Sequence, residues 1–276
     1  MGKKRKPLYD ISYIEFGEIL VNTEDLDPVY SMLVDASLPD DVLKRFMLAY
    51  WCYYHCGVAA WIAESTDFYK AMLKGVAGKF PRGMERRYFY SNVALNCISD
   101  LEAHGSPESI VDDMCAHRTF MEVNKAVVKY NGFGPWMGWK IADMAERVLC
   151  YDVDFSDSSL NIYKDPRKAA AIIVHGDKDI PITDKELAWV CDKMEGEFSH
   201  LLAPPWNDRP VNIQEHETIL CKTKAHYYGS YPLGNDTYHI TKGMRGWGDL
   251  SEEMSKHIPI FPYSKYGLDV PKDYLI

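Results

Sequence analysis

The chain has 276 residues, 47% hydrophobic and 26% charged, enough for one large or two modest domains with a sizeable core. A net charge of −9 excludes a generic DNA-coating protein, which would carry excess Lys and Arg, so any DNA contact must come from local basic patches. Seven scattered cysteines, an odd count without metal or Fe–S spacing, argue for a reducing compartment, the cytoplasm of a cell.

The first residues are charged and carry no apolar stretch, so no signal peptide is expected. Lys3-Lys4-Arg5-Lys6 reads as a solvated tail or as a DNA arm, within a basic arm and lead-in over 1–25. Asp27 and Pro28 are an N-cap and first-turn pair opening a helix to about Ala36. One long helix is expected from Pro39 to Glu64. Its Phe46–Ala63 stretch has 18 residues with no acid, Lys or Arg, the edge of a membrane span. Three tyrosines, a histidine and a glycine in it, directly after Lys44-Arg45, favour a buried central helix over a membrane segment.

Thr66 to Lys74 predicts a short helix ended by Gly75. A basic Pro/Gly-punctuated segment then leads into a helix to about His104, and Ser106-Pro107 caps the next. Thr119 and Glu122 form a capping box, followed by Phe120, Val123, Val127 and Tyr130 at helical spacing. Asp165-Pro166 predicts a helix through Val174, Thr183 with Glu186 opens another, and Asn212 opens one through about Ala225. From Tyr227 the chain reads as irregular, with a helix near Asp236 to Lys242. Regular hydrophobic alternation is absent. The expectation is a mostly α fold, with a main helical domain over 26–245, two lobes around a cleft as its arrangement, and an irregular tail over 246–276 packing on it.

Three blocks could carry chemistry. In Asn131–Asp157, Gly132 and Gly134 allow a tight turn with positive φ, and Pro135 suits the first helical position. Unpaired N–H groups at such a helix start can hold a phosphate. In Arg82–Arg87, three arginines around Gly83 make a polyanion clamp or a surface helix start. In Glu217–Lys224, Glu217, Cys221 and Lys224 share one helical face. That makes Cys221 a candidate nucleophile or a buried thiol beside a solvated lysine pair. His226, Tyr231, Gly234, Asn235 and Asp236 follow, in position to finish a pocket wall.

The helix, Gly-Phe-Gly-Pro turn and helix resemble the helix-hairpin-helix of the DNA glycosylase superfamily, with a plain αα-hairpin as the alternative. The resemblance implies DNA contacts at Gly132, Phe133, Gly134 and Lys140. Asp154, 22 residues after Gly132, stands where a catalytic Asp would fall. Trp136 occupies the position of the lyase lysine.

Together the R-G-x-x-R-R, G-F-G-P, E-T-x-L-C-K-x-K and Y-x-x-G-x-D blocks resemble the phage amino acid:DNA transferases, also called α-glutamyl/putrescinyl thymine pyrophosphorylases. The resemblance covers about Tyr30 to Thr241. It implies a glycosylase-like enzyme that flips a nucleotide out of double-stranded DNA and displaces pyrophosphate from 5-pyrophosphoryloxymethyluracil with a free amino acid or amine. On that reading Arg82, Arg86, Arg87, Lys222 and Lys224 bind pyrophosphate, and Asp154 or Asp157 is the base. Glu217 and Cys221 are catalytic, and His226, Tyr231 and Asp236 line the pocket. No organic cofactor or protein metal site is expected; Mg²⁺ could accompany the pyrophosphate. Expected partners are modified duplex DNA and other phage DNA-modification enzymes, in the host cytoplasm and away from membranes. The competing readings are a helix-hairpin-helix DNA N-glycosylase, a non-catalytic DNA-binding protein, and a helical enzyme without a DNA role.

Overall fold

The computed structural model describes residues 7–160 and 163–274. The basic run Lys3–Lys6 lies outside the described residues. Among those residues the chain is mostly helical, with fourteen α-helices and only isolated β-bridges. In chain order they are α1 Tyr13–Asn22, α2 Pro28–Ala36, α3 Asp40–Tyr53, α4 Cys56–Glu64, α5 Phe68–Ala77, α6 Ser91–His104 and α7 Pro107–Cys115. There follow α8 Phe120–Val127, α9 Pro135–Arg147, α10 Lys164–His175, α11 Asp184–Phe198, α12 Ile213–Tyr227, α13 Asn235–Met244 and α14 Asp249–Ser255.

The helix starts follow local chemistry. Ser106, Thr119, Thr183 and Asn212 each accept a backbone N–H from their helix's first turn, and the last three complete capping boxes with Glu122, Glu186 and Glu215. The lead-in also holds a helix: Ser12 caps α1, which buries Phe16 and Leu20.

The expected single helix from Pro39 to Glu64 is two. Tyr54 takes a left-handed conformation with φ 51°, and His55 caps α4 by accepting the Val58 N–H at 3.2 Å. Burial on all sides hid this break, because an apolar run has no polar face to interrupt. No helix among the described residues is long and apolar enough to cross a membrane. Gly75, expected to end a helix, lies inside α5, where an added Cβ would lie 2.6 Å from the Tyr53 hydroxyl.

The chain divides into two compact units. One comprises Met1–Pro28, Ser158–Tyr238 and Pro259–Ile276; the other comprises Val29–Asp157 and His239–Ile258. In the first, α1 packs against α11 and α12, and a Cβ on Gly17 would meet Phe198 at 2.7 Å. In the second, the core runs through α3 and α4, with Phe46, Met47, Trp51 and Tyr53 wholly or almost wholly buried. Burial of these large side chains stabilises each by about 1.5–3 kcal/mol.

Candidate functional site

The second unit builds a turn and a loop side by side. Between α8 and α9, Gly132 has φ +86° and an added Cβ would sit 3.2 Å from Cys97 Cβ, so geometry and space both require glycine. Gly134 differs from the expectation of positive φ: it is extended at φ −115°, ψ 177°, and caps α9 ahead of Pro135. The two helices cross closely at Gly138, where a Cβ would clash with Asn124. Phe120, Trp139 and Phe155 interlock with ring centroids 5.1–5.6 Å apart and fix the crossing.

The arginine loop leans on that turn. Arg86 is buried; its Nε donates to the Cys52 carbonyl at 3.0 Å and its Nη1 to the Gly132 carbonyl at 2.8 Å. Its guanidinium lies between the Phe89 and Phe133 rings, at 5.0 and 5.2 Å. Arg82 donates to the Phe89 carbonyl and lies over Tyr90, while exposed Arg87 lies over Tyr88. Of the three arginines, Arg86 is committed to the protein and Arg87 is exposed to solvent. Lys140 is buried, with its ammonium 3.5 Å from Asp143, whose carboxylate also accepts the Tyr30 hydroxyl at 2.7 Å. Trp136 is half-buried and packs on Tyr54.

Asp154 and Asp157 sit at the start of α8. That end lies about 12 Å of helix from the glycine turn, at 1.5 Å per residue. The Asp154 backbone bridges to Thr119, and its carboxylate accepts the Ser156 N–H at 2.8 Å and hydroxyl at 2.7 Å. Those two donors, the N–H first, hold its pKa below the usual carboxylate value. Asp157 accepts the Met121 N–H, an α8 first-turn donor.

The first unit assembles a different cluster on α12. Lys222 is buried and donates to the Asp25 and Leu26 carbonyls at 2.5 and 2.6 Å and to the Asp236 carboxylate at 2.8 Å. These contacts use all three ammonium donors. The Asp25 carboxylate, wholly buried, accepts the Gly234 N–H at 2.8 Å, the Thr237 N–H at 3.2 Å, the Thr237 hydroxyl at 3.0 Å and the Tyr231 hydroxyl at 3.4 Å. Burial pushes the Asp25 pKa up to about 6; Lys222 opposes the rise and Asp236 adds to it. Burial, then the nearby Asp236 and Asp25, drives the Tyr231 hydroxyl far above its ordinary value. His226 stacks between Tyr9 and Phe16, and burial lowers its pKa. Lys222, Tyr231 and Asp236 are therefore brought together, around an aspartate that sequence reasoning missed. Its signal was the short acidic run Glu24, Asp25 and Asp27, two of which precede a helix and look like capping residues.

Glu217 and Cys221 do meet, with Sγ 3.2 Å from Oε1. Burial first, and then the Glu217 carboxylate, push the thiol well above its usual pKa. Lys224, the expected activating cation, pairs with Asp165 at 2.6 Å. Among the described residues no group of three His, Cys, Asp or Glu side chains could hold a metal ion.

The model of the amino acid:DNA transferase family matches residues 25–228, most of the chain. The chain belongs to the amino acid:DNA transferase family. This transferase is 35% identical to the glycinyltransferase of Pseudomonas phage PaMx11, over 91% of its own length and 96% of the relative's. It is 26% identical to the putrescinyltransferase of Delftia phage PhiW-14, over 90% and 83%. The family match spans both the Asp25–Lys222 pair and the arginine loop with its glycine turn. This transferase is thus an enzyme of DNA modification.

Proposed function

We propose that this transferase displaces pyrophosphate from 5-pyrophosphoryloxymethyluracil in duplex DNA and puts glycine in its place. The observation that carries the choice of glycine is the 35% identity, along nearly the whole of both chains, to a glycinyltransferase, against 26% to a putrescinyltransferase. In the reaction a C–N bond forms at the 5-methylene carbon, the C–O bond to pyrophosphate breaks, and the amine proton passes to a base.

The glycine turn at 132–135, read as a helix-hairpin-helix, carries the DNA backbone, and Arg82 and Arg87 meet the phosphate oxygens. Asp236 receives the amine: its side chain is 36% exposed while Lys222 and Asn235 hold it from behind. Asp25 holds the Gly234–Thr237 segment that carries Asp236. Cys221 is not asked to attack the ring, since a thiol held neutral is a poor nucleophile. Mg²⁺ would be held by the oxygens of the pyrophosphate and would offset its developing charge.

The test incubates the protein with DNA carrying 5-pyrophosphoryloxymethyluracil, glycine, putrescine and the other amino acids, and reads nucleosides by mass spectrometry. A glycine-substituted thymine is expected. A putrescine adduct would move the specificity, and an abasic site would make the protein an N-glycosylase.

A further inference from the structure

The loop from Gly83 to Tyr90 turns Arg86 and Phe89 inward and leaves Met84, Glu85, Arg87, Tyr88 and Tyr90 exposed, on a fixed base. Gly83 donates its N–H to the Tyr53 carbonyl at 2.9 Å, and a Cβ there would strike the Tyr54 carbonyl. Arg86 fastens the middle of the loop to Cys52 and Gly132. Phe89 is buried, edge-on to Tyr53 at 5.1 Å. What remains outside includes, beside Glu85 and Arg87, several large apolar and aromatic side chains. Met84 is 71% exposed, Tyr88 64% and Tyr90 48%, and Val93 at the start of α6 is 52% exposed. Scattered exposed apolar residues are ordinary, but a group on one braced loop marks a contact surface.

The charge around the group says which contact. Arg82 to Tyr90 contains three arginines and one acid on a chain of net charge −9. Arg87 lies 4.7 Å from the Tyr88 ring and Arg82 5.2 Å from the Tyr90 ring. Guanidinium groups laid over exposed tyrosines offer flat faces for bases and donors for phosphates at once.

We propose that the Met84–Tyr88 tip of this loop is a wedge that enters the base stack of duplex DNA beside the target nucleotide, with Arg82 and Arg87 on the flanking phosphates. The proposal rests on the reading that duplex DNA is the substrate, and it deepens that reading. The 5-substituent of a paired uracil projects into the major groove, and swinging the nucleotide out of the stack would bring its reacting carbon against the protein away from bulk water. An inserted side chain fills the gap and lowers the cost of unstacking. Arg86 transmits the position of the wedge to the glycine turn, so backbone grip and insertion stay in register.

The experiment uses the full chain and an unmodified duplex with 2-aminopurine next to a thymine, so it does not depend on the transfer reaction. Wild-type protein should raise the fluorescence as the neighbour unstacks. Tyr88→Ala combined with Met84→Ala should abolish the rise and weaken duplex binding about ten-fold, the scale of one lost base–aromatic stack. Tyr88→Trp should keep the rise. Arg87→Ala should keep it at saturating protein and reduce the salt slope of binding by about 1. Both tip residues are exposed, and unchanged thermal melting would verify folding. A wild-type protein that leaves the fluorescence flat, or a double variant that behaves as wild type, overturns the wedge even if glycine transfer is intact. Loss of transfer activity with the fluorescence pattern intact overturns only the reaction.

Discussion

The Arg86 guanidinium donates to the Gly132 carbonyl at 2.8 Å and so ties the arginine loop to the glycine turn across 46 residues of chain. An arginine that looks like a phosphate ligand in the sequence is a structural bolt. Arg86→Ala should therefore destabilise the protein by about 1–3 kcal/mol, the cost of leaving buried carbonyls unpaired. Arg86→Lys should not restore stability, because one ammonium cannot reproduce the planar fork. Denaturant unfolding measures both. Arg87→Ala, at an exposed site, should stay within about 0.5 kcal/mol of wild type.

The two glycines of the turn should separate cleanly. Gly132→Ala forces a Cβ into a left-handed position beside Cys97 and should cost about 1–2 kcal/mol. Gly134→Ala meets nothing within 4 Å in an extended conformation and should change stability by less than about 0.5 kcal/mol. Equal losses in thermal melting would contradict this geometry.

Asp25 should give the protein a pH dependence of unusual sign. Its folded pKa is raised to about 6 by burial, above the ordinary 3.8. Between those values the folded state keeps a proton that the unfolded chain has released, so this contribution to stability falls as pH rises from about 4 to 6. The difference in unfolding free energy between wild type and Asp25→Asn should shift against wild type over that window. Carbon-13 labelling of Asp25 should show a carboxyl titration near 6, and a midpoint below 4 would remove the basis for the trend.

Cysteine reactivity should follow exposure and charge. Cys150 is exposed, whereas Cys221 is half-buried with its pKa pushed up by burial and by Glu217. Iodoacetamide at neutral pH should label Cys150 well before Cys221, as read by peptide mass spectrometry. Cys221→Ala should retain turnover. Loss of turnover in a folded Cys221→Ala protein would restore a covalent route.

Asp236→Asn should raise the KM for glycine by about ten-fold or more, the scale of a charge-assisted contact, with a smaller change in kcat. A fall in kcat at constant KM would instead make Asp236 the base.

Much of this was legible in the sequence because it is local. A capping box spans four residues, and helical spacing recurs within two turns, so α8, α11 and α12 could be read from Thr119, Thr183 and Asn212 and the apolar positions after them. The order of the sequence blocks likewise determined the family, and with it the DNA-modifying class of enzyme. The pairing of Asp25 with Lys222 lies 197 positions apart and leaves no local trace. The break at Tyr54 was hidden inside a run that is apolar on every face. Burial turned Arg86 and Lys140 from apparent ligands into internal ties, and it raised the Cys221 and Asp25 pKa values. Thus the sequence by itself determined the capped helix starts, the positive-φ Gly132 and the family, through chemistry contained within one or two helical turns. Only the tertiary structure decided which charges remain available to substrate, because desolvation and pairing depend on segments that meet only when the chain is folded.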